Sequence, residues 1–324
     1  MTAGTTGLWL RWAADAAAGT ANATTAVAMN AAAARTAGAV ATAAAEPAAA
    51  GIAVTTSADT AHTVDAAAAG TATAAGTTAT ATADSAVRLF CLPHAGSGPA
   101  RYLRWADRLP GIDLIGVCLP GHERRVVEPP LRRVVDIVDA LADAMAPHLD
   151  RPFALLGHSF GGLLAFELAR RLEADGARPL HLFISGAAPA PSRSADPPVR
   201  TLTDPAFLTH VRRLGGLDPD VLAHPDLVDL VTPALRADYE AAEAHTPDPA
   251  ATVTAPITAL GGLHDPAAPP GALTAWGRCS AGPFTRVTLP GGHFALFDQE
   301  HNVLRTVRTT LTAADRATHA AGRT

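Results

Sequence analysis

Phe153-Ala-Leu-Leu-Gly-His-Ser-Phe-Gly161 decides the fold, because in it an apolar run leads directly into a G-x-S-x-G turn. The residues from 160 to 174 then have the apolar spacing of a helix, which ends before Gly176. A strand, a sharp turn and a helix in this order form a nucleophile elbow, in which a strained turn exposes a serine. We therefore predict that Ser159 is a nucleophile at the carboxyl edge of a sheet, beside the N-terminus of a helix.

Short apolar runs alternate with helical patterns on both sides of this stretch. Strands are predicted at 87–92, 112–119, 153–157, 180–185, 257–260 and 284–289, and further helices at 131–149, 273–278 and 302–311. Apolar strands that alternate with helices are typical of an α/β fold with a mostly parallel sheet covered on both faces. Residues 187–256 contain no clear strand, and insertions of this length are usually functional, so we predict a helical lid at about 187–250.

The composition of the chain changes near Ser85. Residues 1–86 contain 37 Ala and 18 Thr, and such small side chains form no apolar stripe that could dock a helix. We expect residues 1–86 to be a low-complexity, disordered leader without catalytic residues. Residues 87–324 are long enough to bury a core of their own and are the expected catalytic domain. An alternative is that the protein starts at Val87, read from a GTG codon.

Charge and cysteine content exclude several classes of function. The net charge is −5 and all 25 basic residues are arginines, so a strongly basic nucleic-acid-binding protein is excluded. Cys91, Cys118 and Cys279 form no C-x-x-C pair, and no metal-binding or phosphate-loop motif occurs, so we expect no disulfide, metal or bound cofactor. Neither a run of 18 apolar residues nor a signal sequence is present, which favours the cytoplasm without membrane contact.

Nucleophilic catalysis by a serine also needs two backbone N–H groups that bind the oxyanion. The residue after the nucleophile, Phe160, supplies one. Leu92-Pro-His-Ala-Gly-Ser-Gly98 follows an early strand, and its small residues would let a backbone amide approach the reacting oxygen. We predict that Ala95 supplies this second N–H group. The alternative is that this loop is an ordinary glycine-rich turn.

The general base is predicted from its place in the chain. His293 lies in Leu289-Pro-Gly-Gly-His-Phe294, between the last strand and a helix, as expected for the order serine, acid, histidine. His158 lies inside the elbow and His94 inside the oxyanion loop, so neither is placed to act as the base. A histidine in a surface loop is the alternative for His293.

The acid that orients the histidine should follow a strand between the serine and the histidine. Asp265 comes directly after the strand at 257–260, whereas the loop after the strand at 180–185 contains no acid. We therefore predict that Asp265 holds the imidazole in the required tautomer. Asp196 and Asp238 are the rival acids, and both lie farther from the end of a strand.

These features together resemble the external, or type II, thioesterases that accompany nonribosomal peptide and polyketide synthases. The resemblance covers about residues 87–314, and Ser97 and His122 depart from it, because the family usually has Gly and Arg there. It implies an α/β-hydrolase fold, with the triad at Ser159, Asp265 and His293. Its oxyanion amides fall on Ala95 and Phe160. Five stretches carry the resemblance: Leu89-Phe-Cys-Leu-Pro-His-Ala-Gly96, Leu119-Pro-Gly-His-Glu-Arg-Arg125 with Glu128-Pro129, Gly157-His-Ser-Phe-Gly161, Leu235-Arg-Ala-Asp-Tyr239 and Gly292-His-Phe294.

The resemblance also implies a substrate and partners. The substrate would be an acyl thioester on the phosphopantetheine arm of an acyl or peptidyl carrier protein domain, hydrolysed without a cofactor by an enzyme expected to be a monomer. Two alternatives remain from the sequence: a general carboxylester hydrolase with the same triad, and a non-catalytic binding protein of the same fold. Apolar positions of the insertion would line an acyl chamber or simply pack its helices: Phe207, Val211, Leu214, Leu222, Leu227, Leu230 and Leu235. Three arginines could contact an acidic carrier protein or only solvent: Arg200, Arg212 and Arg213.

Overall fold

The apolar runs of the sequence form the strands of one sheet. The structure, a computed structural model, describes residues 9–13, 53–56, 87–189, 198–217 and 219–321. The strands are β1 (Leu10–Trp12), β2 (Ala53–Thr56), β3 (Val87–Leu92), β4 (Ile112–Val117), β5 (Phe153–His158), β6 (His181–Ser185), β7 (Ile257–Gly262) and β8 (Phe284–Leu289). The helices are α1 (Ala100–Leu103), α2 (Val134–Met145), α3 (Phe160–Ala174), α4 (Asp204–Leu214), α5 (Pro219–Leu222), α6 (Pro225–Ala244), α7 (Pro270–Leu273), α8 (Ala295–Asp298) and α9 (Glu300–Ala321).

The strand order places a crevice in the middle of the sheet. The order is β1-β4-β3-β5-β6-β7-β8-β2. The six inner strands are parallel to one another, and the outer strands β1 and β2 are antiparallel to their neighbours. After β3 the chain moves outward to β4 and then returns to β5 on the other side of β3. The loops at the carboxyl ends of β3 and β5 therefore diverge, and such reversal points are where open α/β sheets bind ligands. The predicted mostly parallel α/β-hydrolase sheet is confirmed.

Both faces of the sheet are covered by helices. Side chains alternate between the faces along each strand, and apolar ones point to both, so each face packs against helices. On β3, Phe90 and Leu92 pack in the apolar cluster that includes α2 and α3. Leu89 and Cys91 pack in the cluster that includes α9. All four are fully buried, and burial of each large aliphatic or aromatic side chain contributes about 1.5–3 kcal/mol.

Most predicted elements are present with shifted ends. The helix predicted at 131–149 is α2 followed by a 3₁₀ turn at Ala146–His148. The α-helix stops there because Pro147 has no N–H for the next helical hydrogen bond. The helix predicted at 302–311 is the longer α9, which continues through the alanine-rich residues that follow.

Two short stretches within residues 1–86 form strands, whereas the composition of this leader predicts disorder. β1 pairs with β4 and β2 pairs with β8, so that leader residues form the two outer strands of the sheet. Trp9 and Leu10 are buried, the Trp9 carbonyl accepts a hydrogen bond from the N–H of Cys118, and the Arg125 guanidinium lies 4.3 Å from the Trp9 ring centroid. The physical reason is that open strand edges have unpaired backbone groups, which these stretches satisfy. The other leader residues lie outside the described part of the chain.

The insertion between β6 and β7 is helical. It contains a 3₁₀ turn at Val199–Thr201 and the helices α4, α5 and α6. Residues 190–197 and 218 of the insertion lie outside the described residues. No helix in the described parts of the chain combines the length and the apolar character needed to cross a bilayer.

Candidate active site

Ser159 sits on a strained turn between β5 and α3. Its φ of 54° and ψ of −118° lie in a region that residues with a side chain rarely adopt. Two glycines make the turn possible: a Cβ on Gly157 would lie 2.0 Å from the Gly161 carbonyl oxygen, and one on Gly161 would lie 2.1 Å from the Leu92 carbonyl oxygen. The predicted elbow is therefore present in the structure.

His293 bridges the serine and an acid. Its Nε2 lies 3.0 Å from Ser159 Oγ, and its Nδ1 lies 3.0 and 2.9 Å from the two carboxylate oxygens of Asp265. The Ser159 hydroxyl can donate to Nε2 while Nδ1–H donates to the carboxylate. His293 and Asp265 are both buried, whereas Ser159 is partly exposed. The structure brings together the three side chains that the sequence analysis selected.

The loops after β7 and β8 hold the acid and the histidine against each other. Gly262 packs so closely that a Cβ there would lie 2.1 Å from the Gly292 carbonyl oxygen. The N–H of His264 donates to the Gly291 carbonyl at 2.9 Å, while the His264 side chain is exposed. Asp265 is fixed in turn, because its Oδ1 accepts hydrogen bonds from two backbone N–H groups, those of Ala267 and Ala268.

The two predicted oxyanion amides lie on segments in contact with each other. Phe160 is the first residue of α3, so its N–H has no carbonyl four residues earlier within the helix. The close approach of Gly161 to the carbonyl oxygens of Leu92 and Pro93 packs the loop after β3 against the elbow. In that loop the N–H of Ser97 donates to the carbonyl of His94, which closes a turn around Ala95.

His94 and His158 pack around the base and do not replace it. The His158 ring centroid lies 5.0 Å from that of His293 and 5.7 Å from that of His94, and its Nδ1 lies 3.2 Å from Ser185 Oγ. Burial, assisted by positive charge from Arg101, lowers the pKa of His94 to about 3. Burial also holds the pKa of His158 well below its usual range. Both rings are therefore neutral packing groups next to His293.

Asp238 makes contacts that sequence reasoning missed. As a rival acid it does not contact His293; instead its Oδ2 lies 2.9 Å from His122 Nε2 and accepts the N–H of Gly96 at 2.8 Å. Two sequence signals pointed to this place: Asp238 lies in one of the stretches that carry the family resemblance, and His122 departs from the family pattern. The other rival acid, Asp196, lies outside the described residues.

The insertion contributes an apolar cluster beside the oxyanion loop. Phe207, Val211 and Leu235 are buried together and contact Ala95. A Cβ on Gly96 would lie 2.5 Å from Leu235 Cδ1, so α6 packs directly on the loop. The other four predicted chamber positions, Leu214, Leu222, Leu227 and Leu230, are half-buried or exposed. The three arginines considered as a contact for a carrier protein are exposed: Arg200, Arg212 and Arg213. Arg200 pairs with Glu243 at 3.6 Å.

The described parts of the chain hold no candidate metal site. Within them, no three His, Cys, Asp or Glu side chains are grouped so that they could hold a metal ion. Cys91, Cys118 and Cys279 are free thiols.

Comparison with known proteins gives consistent matches over the region from β3 onward. A family model described as a thioesterase domain matches residues 87–311. The thioesterase PikA5 of Streptomyces venezuelae is 42% identical over 223 residues, which are 68% of this chain and 79% of that protein. The gramicidin S biosynthesis protein GrsT of Aneurinibacillus migulanus is 33% identical over 220 residues, 67% of this chain and 86% of that protein. The solved structure of the type II thioesterase BorB from the borrelidin biosynthetic cluster has a TM-score of 0.64 at 36% identity and covers 70% of this chain and 93% of that chain.

Proposed function

Because the chain belongs to the thioesterase family and is a type II thioester hydrolase of secondary-metabolite biosynthesis, we propose that Ser159, His293 and Asp265 form its catalytic triad. We propose further that its substrates are acyl groups on the phosphopantetheine arms of carrier protein domains. The observation that carries the triad is the continuous hydrogen-bonded line from Ser159 Oγ through His293 to Asp265, with distances of 3.0 and 2.9 Å.

In the acylation half-reaction, His293 Nε2 takes the proton of Ser159 Oγ while that oxygen attacks the thioester carbonyl carbon. The carbonyl oxygen becomes an oxyanion, which the N–H groups of Ala95 and Phe160 bind. Each such donor is typically worth about 2.7–4 kcal/mol in the transition state. The C–S bond then breaks, and the pantetheine sulfur leaves as a thiol with the proton from His293.

In the deacylation half-reaction, His293 removes a proton from a water that attacks the acyl-serine ester. The bond between the acyl carbon and Ser159 Oγ breaks, the free acid leaves, and the serine recovers its proton. Asp265 accepts hydrogen bonds from two backbone amides and from His293 Nδ1–H, which holds its carboxylate against the imidazole. Its role is to keep Nε2 free for the serine and to stabilise the imidazolium.

The insertion between β6 and β7 is proposed to act as a lid over the acyl group. The buried side chains of Phe207, Val211 and Leu235 contact Ala95, beside the proposed oxyanion site. α4 and α6 therefore pack against the loop that would bind the carbonyl oxygen of an acyl group attached to Ser159. The solvent-exposed arginines of the insertion remain a candidate contact for an acidic carrier protein.

The enzyme needs no cofactor of its own under this proposal, because the pantetheine arm belongs to the carrier protein. All proposed catalytic groups come from one chain, so a monomer is sufficient. We place the reaction in the cytoplasm with the synthase that supplies the carrier. The catalytic domain is proposed to comprise residues from 87 onward, completed at its sheet edges by the two leader strands.

The proposal is tested by offering acetyl-, propionyl- and aminoacyl-carrier proteins, together with the matching acyl esters of simple alcohols, to the wild type and to Ser159→Ala. Intact-mass spectrometry should show loss of the acyl group from the carriers with the wild type alone. Hydrolysis of the simple esters with untouched carriers would instead identify a general carboxylester hydrolase. Release at equal rates by both proteins would contradict the proposed nucleophile.

A further inference from the structure

A second buried acid–histidine pair lies next to the oxyanion loop. Asp238 on α6 is 2% exposed and His122, in the segment after β4, is 3% exposed. Asp238 Oδ2 lies 2.9 Å from His122 Nε2 and also accepts the N–H of Gly96 at 2.8 Å. His122 Nδ1 lies 3.0 Å from the carbonyl oxygen of Pro120. One carboxylate oxygen thus ties α6, the oxyanion loop and the segment after β4 together.

The hydrogen-bond partners fix the proton count of this pair. A carbonyl oxygen only accepts, so His122 Nδ1 must carry a proton to donate to Pro120. Asp238 Oδ2 already accepts the Gly96 N–H, so the proton between Oδ2 and Nε2 is best placed on Nε2. His122 is then a cation and Asp238 an anion, which is the arrangement a buried charge requires. Burial by itself lowers the pKa of His122, but the charge and hydrogen bond of Asp238 outweigh it and raise that pKa above its usual value.

Four other titratable groups with shifted pKa values lie around the pair: Cys118, Tyr239, His94 and Glu123. Burial raises the pKa of the Cys118 thiol to about 11 and the pKa of Tyr239 to about 12. Burial, assisted by nearby positive charge, lowers the pKa of His94 to about 3. Burial raises the pKa of the Glu123 carboxyl, which accepts the Ala100 N–H. The remaining charged neighbours are Arg124 and Arg125, in the turn at Glu123–Arg125. Arg125 pairs with Glu128.

The helix α6 contacts the oxyanion loop through two side chains one turn apart. Leu235 lies against Gly96, where a Cβ would be 2.5 Å from Leu235 Cδ1, and Asp238 accepts the Gly96 N–H. Positions three apart lie on the same face of a helix, so the two contacts act on the loop from one side. Ala95 is the residue immediately before Gly96, and its peptide orientation follows from where Gly96 is held.

We propose that Asp238 is a positioning residue: together with His122 it fixes the loop that carries the Ala95 N–H and so keeps the oxyanion site formed. The proposal rests on the proposed role of Ala95 in oxyanion binding. Since Asp238 contacts neither the nucleophile nor the base, its loss should lower transition-state stabilisation while leaving the serine–histidine pair in place.

The charge state of His122 makes the positioning dependent on pH. A histidine whose pKa is raised by folding contributes its full stabilisation below the unfolded-state pKa and loses it as the pH rises through the folded-state pKa. Above that pH the Asp238 carboxylate would be buried without its cation, which is costly. The anchoring of Gly96 should therefore weaken on the alkaline side, and kcat should fall there.

The first test compares Asp238→Asn with Glu240→Gln, a carboxylate on the same helix that pairs with Arg132 near the surface. Asp238→Asn should lower kcat by about 10- to 100-fold and change KM by less than about threefold. The loss in kcat should not exceed the loss caused by removing a whole oxyanion donor. Glu240→Gln should leave kcat unchanged. A folded Asp238→Asn protein with wild-type kcat would overturn the proposal. If Asp238→Asn does not fold, His122→Gln is measured in its place with the same expected loss and the same criterion.

The second test follows kcat against pH for the wild type and His122→Arg. Arginine stays charged throughout, so the alkaline fall in kcat should move to higher pH by about one unit or more. An unchanged alkaline limb would overturn the proposed dependence of the positioning on the charge of His122. A fluorophosphonate titration separates this proposal from the triad: Asp238→Asn should still reach one label per chain at Ser159, at a reduced rate. A wild type that is not labelled at Ser159 would instead contradict the triad itself.

Discussion

His293 Nε2 lies 3.0 Å from Ser159 Oγ, although the two residues are 134 positions apart in the chain. The contact forms because both residues follow parallel strands, β5 and β8, whose carboxyl ends lie at the same edge of the sheet. The local elbow thus exposes Ser159, and sheet topology brings His293 to it. Replacing Ser159 with alanine should reduce thioesterase turnover to near background without lowering Tm, because the hydroxyl is partly exposed and is not a packing group. Mass spectrometry after fluorophosphonate treatment should find the label on the peptide that contains Ser159, and labelling elsewhere with full activity would contradict the assignment.

Asp265→Asn should lower kcat by up to about 10⁴-fold and leave the fold intact. An asparagine amide facing His293 Nδ1 favours the tautomer in which Nε2 carries the proton, and Nε2 can then no longer accept the serine proton. Steady-state kinetics with circular dichroism as the control would check this. Retention of most of the activity by folded Asp265→Asn would show that another group orients the base.

Gly161→Ala should abolish activity and destabilise the protein. The new Cβ would lie 2.1 Å from the Leu92 carbonyl oxygen, so that the elbow and the oxyanion loop would have to separate. Gly271→Ala is the matched control and should keep both kcat and Tm. No neighbouring atom lies within 4 Å of the position that its added methyl group would take. Equal behaviour of the two variants in kinetics and thermal melts would be inconsistent with the packing described for the elbow.

Trp9→Ala should lower the free energy of unfolding by up to about 3–5 kcal/mol, as other buried aromatic truncations do. Trp9 is 3% exposed and lies under the Arg125 guanidinium, which it would leave without its aromatic partner. Chemical denaturation measures the change, and kcat at a temperature where the variant is folded should stay within a factor of about two. A variant as stable as the wild type would mean that the leader strand does not hold this edge of the domain.

The meeting of Ser159, Asp265 and His293 could be predicted from the sequence because each of them stands shortly after an apolar run. Ser159 follows β5, Asp265 follows β7 and His293 follows β8, so that strand prediction alone brings them to one edge. The pairing of Asp238 with His122 could not be predicted in this way. The two residues are 116 positions apart, Asp238 lies inside a helix of the insertion, and their contact depends on how α6 packs on the oxyanion loop.

The leader strands show a different limit of sequence reading. β1 has three residues, Leu10 to Trp12, which is too short to display the alternation by which strands are recognised. β1 is a strand because it pairs with the edge of β4, whose backbone N–H and C=O groups would otherwise be unpaired. Two of the four tryptophans of the chain, Trp9 and Trp12, fall in this alanine-rich region and were the overlooked signal.

The covering of both sheet edges by leader residues has a consequence for behaviour at high concentration. An uncovered edge strand is a template on which a second molecule can add its own strand, and such addition propagates into aggregates. With β1 on β4 and β2 on β8, the outermost strand on each side is only three or four residues long, and so short an edge strand offers few unpaired backbone groups. These two short leader strands should therefore limit the association of one molecule with another through the edges of the sheet.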